Sequence, residues 1–116
     1  MPAMPEYRHL QVTKHGDVFV VRFVDQKLVD SLAIEVGDEL FAVADQKDCK
    51  NVLLNFSGVD HLCSAILGKL LSLNRRMNRK GGKLRACEIS PSLRSVFTWT
   101  VLDTVDTEAK GLRAFE

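Results

Sequence analysis

Val52-Leu53-Leu54-Asn55-Phe56 is a nearly unbroken apolar run with one amide set into it. A short run of this kind predicts a central strand, covered on one or both faces. Upstream, His9 to Thr13 and Val18 to Val24 are β-branched and partly alternating, and Lys14-His15-Gly16-Asp17 separates them. Two such runs around a Gly- and Asp-containing turn predict an antiparallel hairpin. The period then changes. With Asp30 or Ser31 as cap, a helix is expected to about Asp45, because Ala33, Val36, Gly37, Leu40, Val43 and Ala44 fall on one face at 3.6-residue spacing. Ile34 and Phe41 lie off that stripe. They either widen the buried face or, if exposed, form a docking spot for another protein.

A second helix is expected from Ser64 to about Lys80. Ile66, Leu67, Leu70, Leu71, Leu73 and Met77 make its apolar side, and Lys69, Ser72, Arg76 and Arg79 line the other. Gly81-Gly82 supplies the left-handed stop. Lys83 to Ile89 reads as the next strand, and Ser90-Pro91 opens a short helix with Pro in the tolerated first turn. Leu93, Val96, Phe97 and Trp99 are its candidates for burial. Thr104 to Asp106 reads as a last short strand and Thr107 to Phe115 as a terminal helix. Met1 to Glu6, with two prolines, is expected to be a flexible lead-in to one domain spanning residues 7–116. The fold class is therefore α/β. A single domain is expected, with a mixed, mainly parallel sheet, right-handed crossovers, an N-terminal antiparallel hairpin and about four helices.

The 116 residues suffice for one core and not for two. Sixteen basic and 15 acidic residues leave a net charge of +1, which gives no general attraction to nucleic acid or to anionic membrane. No apolar run approaches the roughly 20 residues of a membrane span. The N-terminal residues lack the apolar centre of a signal peptide, so the cytoplasm is the expected compartment. Cys49, Cys63 and Cys87 form no CxxC pair and read as free thiols. His9, His15 and His61 show no zinc spacing, and neither a metal nor another cofactor is expected.

The turn after the apolar strand and the helix that follows carry the remaining candidate chemistry. Ser64 reads as a helix cap, since a hydroxyl there satisfies orphan N–H groups. Cys63 at a helix start, near His61, is either a packing residue or a redox-sensing thiol. Lys69, Arg75, Arg76, Arg79, Lys80 and Lys83 make a local basic cluster, but no aromatic residues interleave with it as a single-strand groove requires. A solvated face favouring the negative end of the helix is the simpler account. Gly81-Gly82-Lys83 follows a helix and precedes a strand, the reverse of a phosphate-binding loop. No catalytic triad, paired-carboxylate spacing or nucleophile elbow is present, so no enzyme is expected.

Several of these segments in this order resemble the STAS domain of anti-sigma factor antagonists. Leu28-Val29-Asp30 is similar to the family's hydrophobic-Asp stretch before the first helix. Asn55-Phe56-Ser57-Gly58-Val59 resembles its Asp-Leu-Ser-x-Val, and Gly81-Gly82-Lys83-Leu84 its Gly-Gly-x-Leu. Ile89-Ser90-Pro91-Ser92-Leu93-Arg94-Ser95-Val96-Phe97 resembles the following turn and helix. The resemblance implies a signalling regulator that docks on an anti-sigma factor which is also a Ser/Thr kinase of the histidine-kinase-like ATPase fold. In that family, phosphorylation of the second hydroxyl residue of Asp-Ser-Ser/Thr breaks docking. Here Cys63 stands at the Asp, Ser64 at the first hydroxyl and Ala65, which has no oxygen, at the acceptor; Ser64 is the one nearby substitute. Ile66 replaces the next Gly, with a narrowed approach to the helix start as the expected effect. The implied docking surface comprises Asp30, Ser57, Gly58, Asp60, Cys63, Ser64 and Ala65. A ligand-binding or thiol-based sensor module and a scaffold subunit of a signalling complex stay open as alternatives, as does homodimerisation.

Overall fold

The computed structural model describes residues 7–98 and 102–115. The lead-in to Glu6 and Trp99 lie outside them. Leu10–His15 (β1) and Val18–Phe23 (β2) form the expected hairpin, paired Leu10↔Phe23 through His15↔Val18. Asn51–Asn55 (β4) lies parallel to β2, and Lys83–Cys87 (β6) lies parallel to β4. Asp103–Thr104 (β7) completes a five-stranded sheet in the order β1-β2-β4-β6-β7. The apolar run is central, as its composition requires: Val52, Leu53, Leu54 and Phe56 are all buried.

Ala33–Ala44 (α1) and Ser64–Arg79 (α2) pack on each other over one face of the sheet. Every residue expected on the stripe of α1 is buried. On α2, Ile66, Leu70, Leu73 and Met77 are buried and Leu67 and Leu71 half-buried. Burying each such side chain contributes about 1.5–3 kcal/mol, enough to fix which way the helix faces. Pro91–Thr98 (α3) follows β6 with Leu93 and Phe97 buried. Phe23 stacks on Phe56 with ring centroids 4.9 Å apart, and Phe97 meets Phe56 edge-on at 5.2 Å. Glu108–Arg113 (α4) covers the other face, where Leu112 and Phe115 pack over Val18, Val20, Leu53 and Cys87.

The basic side of α2 does more than face water. Arg76 makes two hydrogen bonds to the Asp45 carboxylate and lies 4.4 Å from the Phe41 ring centroid. Lys80 donates to the Ala44 carbonyl. These contacts join α2 to α1 and leave Phe41 half-buried, while Ile34 is 72% exposed. The Gly-Gly stop is used twice. Gly81 has φ +79°, a left-handed conformation, and a Cβ on Gly82 would collide with the Lys50 carbonyl oxygen.

Two expectations about helix starts need correction. Neither Asp30 nor Ser31 caps α1: Asp30–Leu32 forms a separate 3-10 turn without a side-chain cap, and the helix begins at Ala33. Ser64 does not cap α2. Cys63 occupies the cap position without a side-chain hydrogen bond, and Ser64 is the first helical residue. Two short strands were also missed, Lys27–Leu28 (β3) and His61–Leu62 (β5), which pair in parallel as a separate ribbon. The last strand begins one residue earlier than expected, and Thr107 caps α4 by accepting from the Lys110 N–H.

Candidate functional site

The β3–β5 ribbon assembles the surface that the sequence pointed to. Through it the Asp60 N–H donates to the Gln26 carbonyl and the Cys63 N–H to the Leu28 carbonyl, each at 2.9 Å. This draws the turn before α1 toward the start of α2, and the Asp30–Leu32 turn packs against α2. Asp30, Ser57, Gly58, Asp60, Ser64 and Ala65 are all exposed, and Cys63 is half-buried.

The members of this set differ in freedom. Asp60 is engaged: Lys27 Nζ lies 3.2 Å and Gln26 Nε2 2.8 Å from its carboxylate, and the Lys27 contact is the main reason its pKa is lowered. Gly58 has φ +83° and turns the chain after β4. Cys63 packs its side chain against the main core, the packing reading of the thiol. Cys49 and Cys87 are buried, and desolvation pushes their pKa values up to about 11 and 12, so both are poor nucleophiles. Ile66 is fully buried. The expected crowding of the helix start by Ile66 is therefore absent, because its side chain points into the core.

Asn55 is the residue that sequence reasoning valued too little. It is 2% exposed, and both ends of its amide are used. Its Oδ1 accepts from the Ser57 N–H at 2.8 Å and its Nδ2 donates to Glu108 Oε1 at 2.9 Å. Arg22 Nη2 reaches the same oxygen at 3.1 Å, while the Glu108 N–H donates to Glu88 Oε2. Glu88 itself has φ +56°, rare for a residue with a Cβ. Burial opposes the ionised form of Glu108, but the hydrogen bonds from Asn55 and Arg22 outweigh it and hold the pKa below the usual range. The Ser57 turn is thus anchored through Asn55 to α4. The signal in the sequence was a single amide in an apolar run; its partner, 53 residues away, left none.

A second polar cluster lies beside the first helix. His9 is 12% exposed and sits between Asp25 Oδ2 at 2.6 Å and Glu35 Oε2 at 2.7 Å. The Glu35 hydrogen bond leads the causes that raise the His9 pKa.

The STAS domain model matches residues 9–109. The chain belongs to the STAS domain family. Among proteins of known role, it is 19% identical over 114 residues to an anti-sigma F factor antagonist of Paenibacillus polymyxa, covering 92% of this chain and 94% of that one. A STAS domain protein from Planctomyces limnophilus superposes with a TM-score of 0.82 at 23% identity, over 92% of this chain and 97% of that one. The Bacillus cell-fate determinant SpoIIAA, in its phosphorylated form, superposes with a TM-score of 0.74 at 19% identity, over 92% and 99% of the two chains. At these identities the structural likeness establishes the fold, and it agrees with the α/β class, the hairpin and the four helices read from the sequence. No helix among the described residues is long and apolar enough to cross a membrane.

Proposed function

We propose that this STAS protein is a protein-binding signalling regulator of the anti-sigma factor antagonist type, lacking the usual phosphorylation switch. Its partner is an anti-sigma factor or a Ser/Thr kinase of the histidine-kinase-like ATPase fold. Docking uses Asp30, Ser57, Gly58, Asp60, Cys63, Ser64 and Ala65. The observation that carries this reading is the start of α2. Ser64 and Ala65 are exposed there, the cap position has no side-chain hydrogen bond, and Ala65 offers a partner backbone close approach without an acceptor oxygen. Binding, not catalysis, is the activity in this reading, and the cytoplasm its setting.

The test is calorimetric titration with the ATPase-fold kinases encoded in the same genome, using wild type and Ala65→Glu. Ala65→Glu should fold, because Glu is a good helix former and its charge suits a first turn that now has no acidic residue. A charge at the centre of a desolvated patch should still weaken binding more than about tenfold, about 1.4 kcal/mol. Unchanged affinity in the folded variant would move the interface, with the exposed Ile34 side next. No binding to any such kinase would overturn the partner class. After incubation with kinase and ATP, mass spectrometry should find no phosphate at position 65; stoichiometric phosphate on Ser64 would show a displaced acceptor.

A further inference from the structure

The sheet has a second site of interest at the end opposite the α2 start. Lys50 precedes β4, and Lys83 and Arg85 project from one face of β6, opposite Asn51 and Leu53. With Gly81, Asp17 and Phe115 they line a cleft of about 280 Å3. Arg85 lies over Phe115, its guanidinium carbon 4.7 Å from the ring centroid. Its Nη1 is buried and has no hydrogen-bond partner. A charged donor left this way costs more than a neutral one, so buried donors ordinarily find an acceptor. Neither Lys50 nor Lys83 makes an ion pair among the described residues. Among the described lining residues, three cations thus face the cleft against one carboxylate, that of Asp17.

A second cleft of about 390 Å3 adjoins it and shares Asp17 and Phe115. Val18 and Leu112 give it an apolar wall, at the edge where Leu112 and Phe115 pack over this face of the sheet. The pair therefore offers an oxyanion seat next to an apolar slot, the usual division of a small-molecule site. The planar fork of Arg matches an oxyanion, and two flexible ammonium groups add charge without fixing geometry. We propose that this double cleft binds a phosphate monoester with a compact apolar or aromatic body. The phosphate sits against Arg85, Lys83 and Lys50, and the body lies along Phe115 and Leu112. This site is independent of the partner-docking surface.

Phenyl phosphate, inorganic phosphate and benzoate are suitable probes, followed by amide chemical shifts of the full chain. Phenyl phosphate should shift Asn51, Lys83, Arg85 and Phe115 saturably, and inorganic phosphate the same residues more weakly. The double variant Lys50→Gln/Lys83→Gln changes only exposed side chains. It should fold and lose at least about tenfold in affinity, the effect of losing charge-assisted contacts. The Ala65→Glu variant should bind phenyl phosphate like the wild type, even if partner docking fails. Absent saturation, shifts scattered over unrelated lysines, or unchanged affinity in the double variant would each overturn the proposal. Tighter binding of benzoate than of phenyl phosphate would overturn the phosphate assignment.

Discussion

Replacing Asn55 by Asp changes one atom's chemistry at a buried hub, and its effect can be worked from the geometry. The wild-type Nδ2 donates to Glu108 Oε1 at 2.9 Å, while Oδ1 holds the Ser57 N–H. Asp keeps the acceptor for Ser57 and turns the donor into a second carboxylate oxygen facing Glu108. Loss of a hydrogen bond to a charged group costs about 1.5–3 kcal/mol. Two carboxylates about 4 Å apart at an effective dielectric of about 20 repel by about 4 kcal/mol. Arg22 screens part of this and one proton can relieve most of the rest, so about 2–4 kcal/mol is expected at neutral pH. The pH dependence is the sharper signature. In the wild type the lowered pKa of Glu108 contributes stability that is present above the unfolded value of about 4.3 and is lost as pH falls through the folded value. In Asn55→Asp the carboxylate pair takes up a proton above that value, so acid stabilises the variant relative to the wild type. Urea unfolding of both proteins from about pH 8 down to about pH 4.5, just above the free carboxylate value of about 4.3, should give a stability gap that narrows toward acid. Equal stability at neutral pH, or a gap independent of pH, would refute the role assigned to Asn55.

His9 titrates in the opposite sense. Its raised pKa means the stabilising contacts to Glu35 and Asp25 are fully present below the unfolded value of about 6.5 and are lost as pH rises through the folded value. The unfolding midpoints of wild type and His9→Gln should therefore differ at mildly acidic pH and converge in base. Among the cysteines, Cys63 should label first with a thiol reagent near neutral pH, because Cys49 and Cys87 are buried with pKa values of about 11 and 12. Mass spectrometry of partially labelled protein reads the order. Cys63→Ser should leave partner affinity within about twofold, since the side chain packs against the core and Ser nearly keeps its size at the rim of the docking surface.

The pattern along the chain was enough for the sheet and the helices that cover it, because each of those elements repeats one local rule over several residues. Val52 to Phe56 announces a central strand by composition alone, and the stripe from Ala33 to Ala44 announces a buried helix face. What was missed depends on contacts between distant segments. Strands β3 and β5 contribute two residues each, too few for any period, and meet where Leu28 and Leu62 pair and enter the core. The cap of α2 was misplaced by one residue, since Ser64 has the better capping side chain but Cys63 has the extended backbone, φ −76° and ψ 161°. Ile66 reads both as part of the apolar side of α2 and, at the position of the family's Gly, as narrowing the helix start; its full burial agrees with the first reading. The candidate surface was legible as a run of residues around the helix start, whereas its anchoring through Asn55, Glu108 and Arg22 was not.

The separation of fold from switch follows from the same helix. Positions 65 and 66 are neighbours in sequence yet point about 100° apart around the axis of α2, enough to put one in the core and the other at the surface. Ile66 is fully buried and contributes to the core, while Ala65 is exposed at the rim of the candidate surface. A side chain at position 65 therefore does nothing to hold α2 in place, and Ala is the best helix former available there. By contrast, the buried stripe of Ile66, Leu70, Leu73 and Met77 has no comparable latitude, because truncating any of them leaves a cavity costing about 2–5 kcal/mol. The scaffold can thus survive intact while the acceptor is lost. In the proposed reading, such a chain never gains a phosphate charge at position 65, and control of docking comes from the partner or from a ligand elsewhere on the fold.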